Sequence, residues 1–332
     1  MKGTSMLLES ILAIVLGALL PVHADQRTPE AIPLHATHVT NTPIPAFGFF
    51  GRAQCDAQGN LYFRIGKLTE YNKTEVLSFT PDGTDPKYFE LPSLFGATTT
   101  YTSFQVMADG ALNVLVLRQE PREWLVFHWA AGSGDSTHVR LDLPPGLLIE
   151  NFATMENGDM VVFGHFGPSA AEDMRGRPYV AELTNSGTVK RALNSDLPQT
   201  NASDLRFYDS AFALDGGLLY FVEGNAIKVM SETGTAVRTL EPPKPVENAT
   251  LASVAIANGR LAVWYRALPP HQDAGRFKLW LEVLDPITGQ VQRVYEPGPD
   301  LYNMALCFTG RSFIFWNVNK NHFVQLISAS ID

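Results

Sequence analysis

The chain has 332 residues, 45% of them apolar, enough to fill a core and unlike a disordered composition. Its formal net charge is -9 and its pI about 5.4, with no cluster of Lys and Arg, which argues against nucleic acid and anionic membrane surfaces as partners. Two cysteines, Cys55 and Cys307, are too few for a disulfide scaffold or a zinc site built of thiolates.

The first 24 residues read as an export signal. Lys2 supplies the positive n-region, Ile11 to Leu20 the apolar stretch, and Val22-His23-Ala24 a small-residue cleavage site before Asp25. A secreted or periplasmic protein is expected, with no membrane attachment once the signal is removed. Residues 25–332 are expected to form one domain. Sequons stand at Asn72, Asn201 and Asn248.

Six times thereafter a turn ending in glycine launches an apolar strand. The turns are Gln58-Gly59, Asp109-Gly110, Asn157-Gly158, Asp215-Gly216, Asn258-Gly259 and Thr309-Gly310. The strands behind them begin near Leu61, Val114, Val161, Leu219, Leu261 and Phe313. The glycines recur every 43 to 58 residues, the length of a blade made only of strands. Within a unit, a second hairpin follows: Val76 to Phe79 turns at Pro81-Asp82-Gly83 into Tyr88 to Leu91. The apolar runs are continuous where a half-solvated strand would alternate, so both faces are covered. The reading is all-β: a six-bladed β-propeller of four-stranded antiparallel blades. The sixth unit ends one strand short, so the N-terminal segment Leu34 to Thr40 is expected to add to blade 6 and close the ring. Closure brings the inner strands bearing Cys55 and Cys307 together. Their offsets from the marker glycines differ by one, so two buried free thiols are expected and a disulfide is the alternative.

The first unit, Asp56-Ala57-Gln58-Gly59-Asn60-Leu61-Tyr62-Phe63 followed by Thr80-Pro81-Asp82-Gly83, resembles a repeat of the NHL-like six-bladed propellers, a superfamily that includes the gluconolactonase-like hydrolases. The resemblance implies the fold. It also implies a place to look for a metal, which the gluconolactonase-like enzymes hold through carboxylate and amide oxygens.

No phosphate-binding loop, His-Glu-x-x-His, Cys-x-x-Cys, Gly-x-Ser-x-Gly or EF-hand loop occurs. A site must therefore be assembled from separate blades. The longest loops run from Gly164 to Pro178, Asn194 to Phe207 and Tyr265 to Phe277, all in connections that leave one face of the disc. Seven residues before each marker glycine stand Arg52, Ser103, Asn151, Asp209, Ala252 and Asn303, at the start of the inner strands on that same face. Five of the six are polar. They form a candidate ligand-binding ring at the channel mouth, with His165, Arg175, Arg177, His271 and Asp273 on the loop rim. Asp209, Asn151 and Asn303 are candidate calcium ligands, although Arg52 stands where a second carboxylate would help; a cofactor is not otherwise expected. Trp124, Trp264, Trp280 and Trp316 read as packing between blades, and Trp129 as a surface aromatic. The function expected is that of an exported, monomeric platform binding a small polar ligand or a protein partner on its long-loop face. The alternative is a metal-dependent hydrolase or lactonase at the channel mouth.

Overall fold

The computed structural model describes residues 29–45, 49–66, 74–91, 99–193, 212–231, 235–267, 278–301 and 305–332. The segment expected to be an export signal, Asp209, His271, Asp273 and Asn303 lie outside the described residues, as do all of the loop 194–207 and most of the loop 265–277. Arg52 is described only as backbone within a strand.

Two short strands come first, β1 (Ala31–Leu34) and β2 (His38–Pro45). Blade 1 is β3 (Phe49–Cys55), β4 (Leu61–Gly66), β5 (Thr74–Phe79) and β6 (Lys87–Phe89). Blade 2 is β7 (Thr99–Val106), β8 (Leu112–Gln119), β9 (Arg122–Trp129) and β10 (Ser136–Leu141). Blade 3 is β11 (Leu147–Thr154), β12 (Met160–Phe166), β13 (Pro178–Leu183) and β14 (Val189–Ala192). Blade 4 is β15 (Phe212–Asp215), β16 (Leu218–Glu223), β17 (Ala226–Ser231) and β18 (Ala236–Leu240). Blade 5 is β19 (Thr250–Ala257), β20 (Arg260–Ala267), β21 (Lys278–Leu284) and β22 (Val291–Pro297). Blade 6 has β23 (Ala305–Phe308), β24 (Ser312–Val318) and β25 (Phe323–Ser330) from the C-terminus and takes β2 as its fourth strand. The inner strands meet around a ring that returns from β23 to β3. The chain is a six-bladed β-propeller.

The closure is as the sequence predicts, with bounds shifted by a few residues. His38 pairs with Ser328, Val39 with Ile327 and Thr40 with Leu326, antiparallel. Residues 31–34 do something else: β1 lies parallel to β22 as a fifth, outermost strand of blade 5. The chain between β1 and β2 thus straps blade 5 to blade 6. Asp300 pins it, accepting a 2.7 Å hydrogen bond from the Ala36 amide.

Continuous apolar strands have a direct cause. Successive side chains of β12 go to opposite seams: Met160, Val162 and Phe166 pack with blade 2, and Val161 and Phe163 with blade 4. In β20, Leu261, Val263 and Tyr265 face blade 4 while Ala262 and Trp264 face blade 6. Among the described residues six apolar clusters result, one in each seam. Each large side chain so buried is worth about 1.5–3 kcal/mol, which makes the seams the main source of stability. Trp129 belongs to one of them and is a correction to the surface reading. It is 2% exposed, because β9 pairs on both sides and its ring packs on Phe89 and Phe127.

The marker turns come in different lengths, which matters for register. In blades 1 to 3 the turn spans five residues, closed in blade 2 by Met107 N–H to the Ala111 carbonyl, with Gly110 at a φ of +87°. In blade 5 Asn258 and Gly259 alone join Ala257 to its partner Arg260, at φ of +51° and +68°, values suited to a type I′ hairpin. Counting back from the glycine therefore does not reach equivalent positions in every blade. The same error affects the cysteines: Cys55 pairs with Leu61 and Cys307 with Ile314 in turns of different length. Cys55 and Cys307 are not free thiols but form a disulfide, with Cα atoms 5.9 Å apart, joining the inner strands of blades 1 and 6.

Candidate functional site

Four of the inner strands share one irregularity. Their pairing slips between Tyr101 and Ser103 in β7, Ile149 and Asn151 in β11, Leu251 and Ser253 in β19, and Ala305 and Cys307 in β23. In β3 a longer slip between Phe49 and Ala53 contains Arg52. Each slip is a β-bulge at the strand end that meets the long loops, and a bulge re-aims the side chains beside it. The residue just after the bulge is Ser103, Asn151, Ser253 or Cys307. Ser103 and Asn151 stand where the spacing rule puts them. In blade 5 the register instead selects Ser253, in place of Ala252, because the hairpin there is shorter; in blade 6 the slip falls one pair from the turn, at Cys307.

Ser103 and Asn151 meet across the seam of blades 2 and 3. The Ser103 hydroxyl donates to Asn151 Oδ1 at 2.7 Å, and the Phe152 amide donates to the same oxygen at 2.9 Å. Ser103 is 0% exposed, Asn151 2% and Ser253 6%. Three buried polar side chains thus occupy positions that the seams otherwise give to apolar groups. Asn151 and Ser253 line a central cavity of about 380 Å³ that runs between the inner strands of all six blades. Glutamines lock its wall. Gln54 donates to the Phe104 carbonyl and accepts from the Val106 amide, while Gln105 does the same to the Thr154 carbonyl and amide. Each amide thereby continues the hydrogen bonding of one inner strand onto the next blade.

The two ends of the cavity differ. On the short-turn face the lining includes Glu156 and Asp215, and burial together with the nearby Glu156 charge raises the Asp215 carboxyl above its ordinary range. On the long-loop face, the loop of blade 3 folds back on the connection into that blade. The Gly167 amide donates to the Gly146 carbonyl at 2.8 Å, and Phe166 N–H donates to the Arg177 carbonyl. Both connections therefore emerge on one face. Arg175 is tied to its own loop through Nε and the Ala170 carbonyl, and it and Arg177 are exposed.

His165 lies in β12, opposite Leu148 and Pro178, and not in the loop proper. Its Nδ1 is 2.8 Å from Glu150 Oε1. Nδ1 is enclosed, and the contact does not meet hydrogen-bond geometry. Burial raises the Glu150 carboxyl and the histidine partly offsets this. Glu150 is the bulged residue of β11, and the bulge has room only because residue 164 is glycine. A Cβ on Gly164 would sit 2.0 Å from the Leu148 carbonyl oxygen. Sequence reasoning finds His165 but passes over Glu150, Gln54, Gln105 and Ser253, since a bulge leaves no spacing signature. A glycine interrupting an apolar strand, as at 164, is the one available hint.

No family model matches the chain, and no characterised protein matches it by sequence. Solved propellers are similar to it in outline. A luciferin-regenerating enzyme shares 9% identity at a TM-score of 0.49, covering 88% of this chain and 95% of that one. Regucalcin, a calcium-binding protein of Agrobacterium tumefaciens, shares 11% at 0.47, covering 92% and 97%. The PQQ-bound aldose sugar dehydrogenase of Streptomyces coelicolor shares 12% at 0.46, covering 92% and 99%. Six blades of four strands are the fold that the resemblance of the first repeat implies.

Proposed function

We propose that this chain is an exported, monomeric binding protein that receives a small polar, hydroxyl-bearing ligand at the long-loop mouth of its channel. One observation carries the reading: Ser103, Asn151 and Ser253 recur, buried, just after the bulge of inner strands. Side chains held on rigid strands orient a ligand with little ordering cost. The disulfide supports the export part, since such bonds persist in oxidising compartments. The test is a thermal-shift screen of polyols, sugars and amino acids, followed by calorimetry on Ser103→Ala and Asn151→Leu. A hit is expected to lose at least about tenfold in affinity, equivalent to about 1.4 kcal/mol, in both variants. A hit bound equally by wild type and both variants lies elsewhere and ends the reading. A protein partner on the same face is the other outcome, registered by loss of capture in the same variants.

A hydrolase is the second reading, favoured by the Glu150–His165 pair toward the same long-loop face, where an imidazole beside a carboxylate suits proton transfer. The described residues do not fit the metal that the gluconolactonase-like enzymes hold. Asn151 Oδ1 already accepts two hydrogen bonds, and no three His, Cys, Asp or Glu gather among the described residues. No step is therefore drawn through a cation. Metal analysis discriminates: calcium near one equivalent, lost in Asp209→Asn, favours the hydrolase over the binding protein.

A further inference from the structure

The disulfide closes the ring at its inner edge. Cys55 and Cys307 are separated by 252 residues and join the first blade to the last. Two other features also hold that seam. The backbone passes from β2, in blade 6, directly to β3, in blade 1. An apolar cluster including Ile44, Phe63, Phe79 and Ile314 fills the space between them. Both cysteines also line the central cavity, and Cys55 is partly exposed where Cys307 is 5% exposed. A disulfide serving only as a staple is best sealed from thiols. This one forms part of the wall of the lumen in which a ligand would sit.

We propose that the Cys55–Cys307 disulfide is a redox-operated lock on the seam of blades 1 and 6, opened by a dithiol reductant that reaches it through the channel. The proposal rests on the channel being the working part of the molecule. A thiolate of the dithiol attacks one sulfur, forming a mixed disulfide and releasing the other cysteine, which takes up a proton. The second thiol of the reductant then closes on the mixed disulfide. The reductant leaves as a cyclic disulfide, two electrons and two protons pass to the protein, and both cysteines end as thiols. The outer strap and the apolar cluster remain, so the seam loosens at its inner edge while the ring stays closed. Reduced, the two thiols stand on neighbouring strands facing the lumen and form a site for an ion or reagent that bridges two sulfurs.

The experiment uses full-length mature protein and needs no ligand, so it fails or succeeds independently of the binding reading. Thiols are counted in denaturant before and after treatment of the native protein with dithiothreitol. Hydrogen exchange is then followed in both forms, and phenylarsine oxide, which bridges paired thiols, is titrated into each. Expected are no free thiols before treatment and two after, with circular dichroism unchanged. Exchange in β3 and β23 should rise at least tenfold while β12 and β13 stay as they were, with one equivalent of arsenical bound by the reduced form alone. The Cys55→Ser/Cys307→Ser variant should show the fast exchange with or without reductant. Two free thiols at the outset, a bond that resists reduction in the native state, unchanged exchange in the seam, or unfolding of the whole ring on reduction would each overturn the proposal.

Discussion

Replacing Glu282 by glutamine should stabilise this protein, and more so as the pH rises. Glu282 lies in β21 between Trp280 and Leu284, which pack into the seam of blades 4 and 5. It is 0% exposed, and neither carboxylate oxygen has a hydrogen-bond partner among the described residues. Tyr265, the nearby hydroxyl, donates to the Pro242 carbonyl. Burial pushes the Glu282 carboxyl from its ordinary 4.5 up to about 8. The folded state therefore holds a proton that the unfolded chain releases. Its contribution to stability is complete below pH 4.5 and is lost progressively as the pH rises through about 8. Within that window the loss is about 1.4 kcal/mol per pH unit, so wild type should lose roughly 3 kcal/mol between pH 5.5 and 7.5 through this group alone. Glutamine cannot ionise and keeps the shape. The advantage of Glu282→Gln should accordingly grow by about that amount over the same two pH units, or about 4–5 °C in Tm at about 2.1 cal/mol/K of unfolding entropy per residue. Thermal and urea unfolding of both proteins at pH 5.5 and 7.5 measure it. An advantage of equal size at the two pH values would refute the argument, since it would mean that Glu282 is already ionised in the folded state at both, as it is in the unfolded chain.

Other outcomes follow from the same geometry. Deleting residues 25–41 removes most of the pairing between β2 and β25, leaving an open edge on blade 6; size-exclusion chromatography should show aggregation, and a soluble monomer of unchanged Tm would contradict the closure. Gly164→Ala drives a methyl group into the Leu148 carbonyl and should cost about 2–4 kcal/mol in urea unfolding, with the Glu150–His165 contact disrupted. Gln105→Leu leaves the Thr154 amide and carbonyl without their side-chain partner and should cost about 1–3 kcal/mol, with hydrogen exchange at Thr154 rising first.

Much of the architecture was legible because it is locally encoded. A turn that needs a positive φ selects glycine, as at Gly110 and Gly259, and a strand covered on both faces has no reason to alternate. Those two signals recur six times, and the missing last strand points to the N-terminus. The candidate site was legible only in part. Ser103 and Asn151 fall at the same offset because blades 2 and 3 have turns of equal length, and the structure joins them by a 2.7 Å hydrogen bond. Ser253 escaped the count because its blade turns in two residues. What tertiary structure alone decided is everything that depends on a neighbouring blade: the bulge that brings Glu150 to His165, the glutamines that reach across seams, the burial of Trp129 and Glu282, and the meeting of Cys55 with Cys307. Each joins residues whose proximity is set by ring closure and register, and neither leaves a period in the sequence, so a pattern read along the chain finds the blades but not the contacts between them.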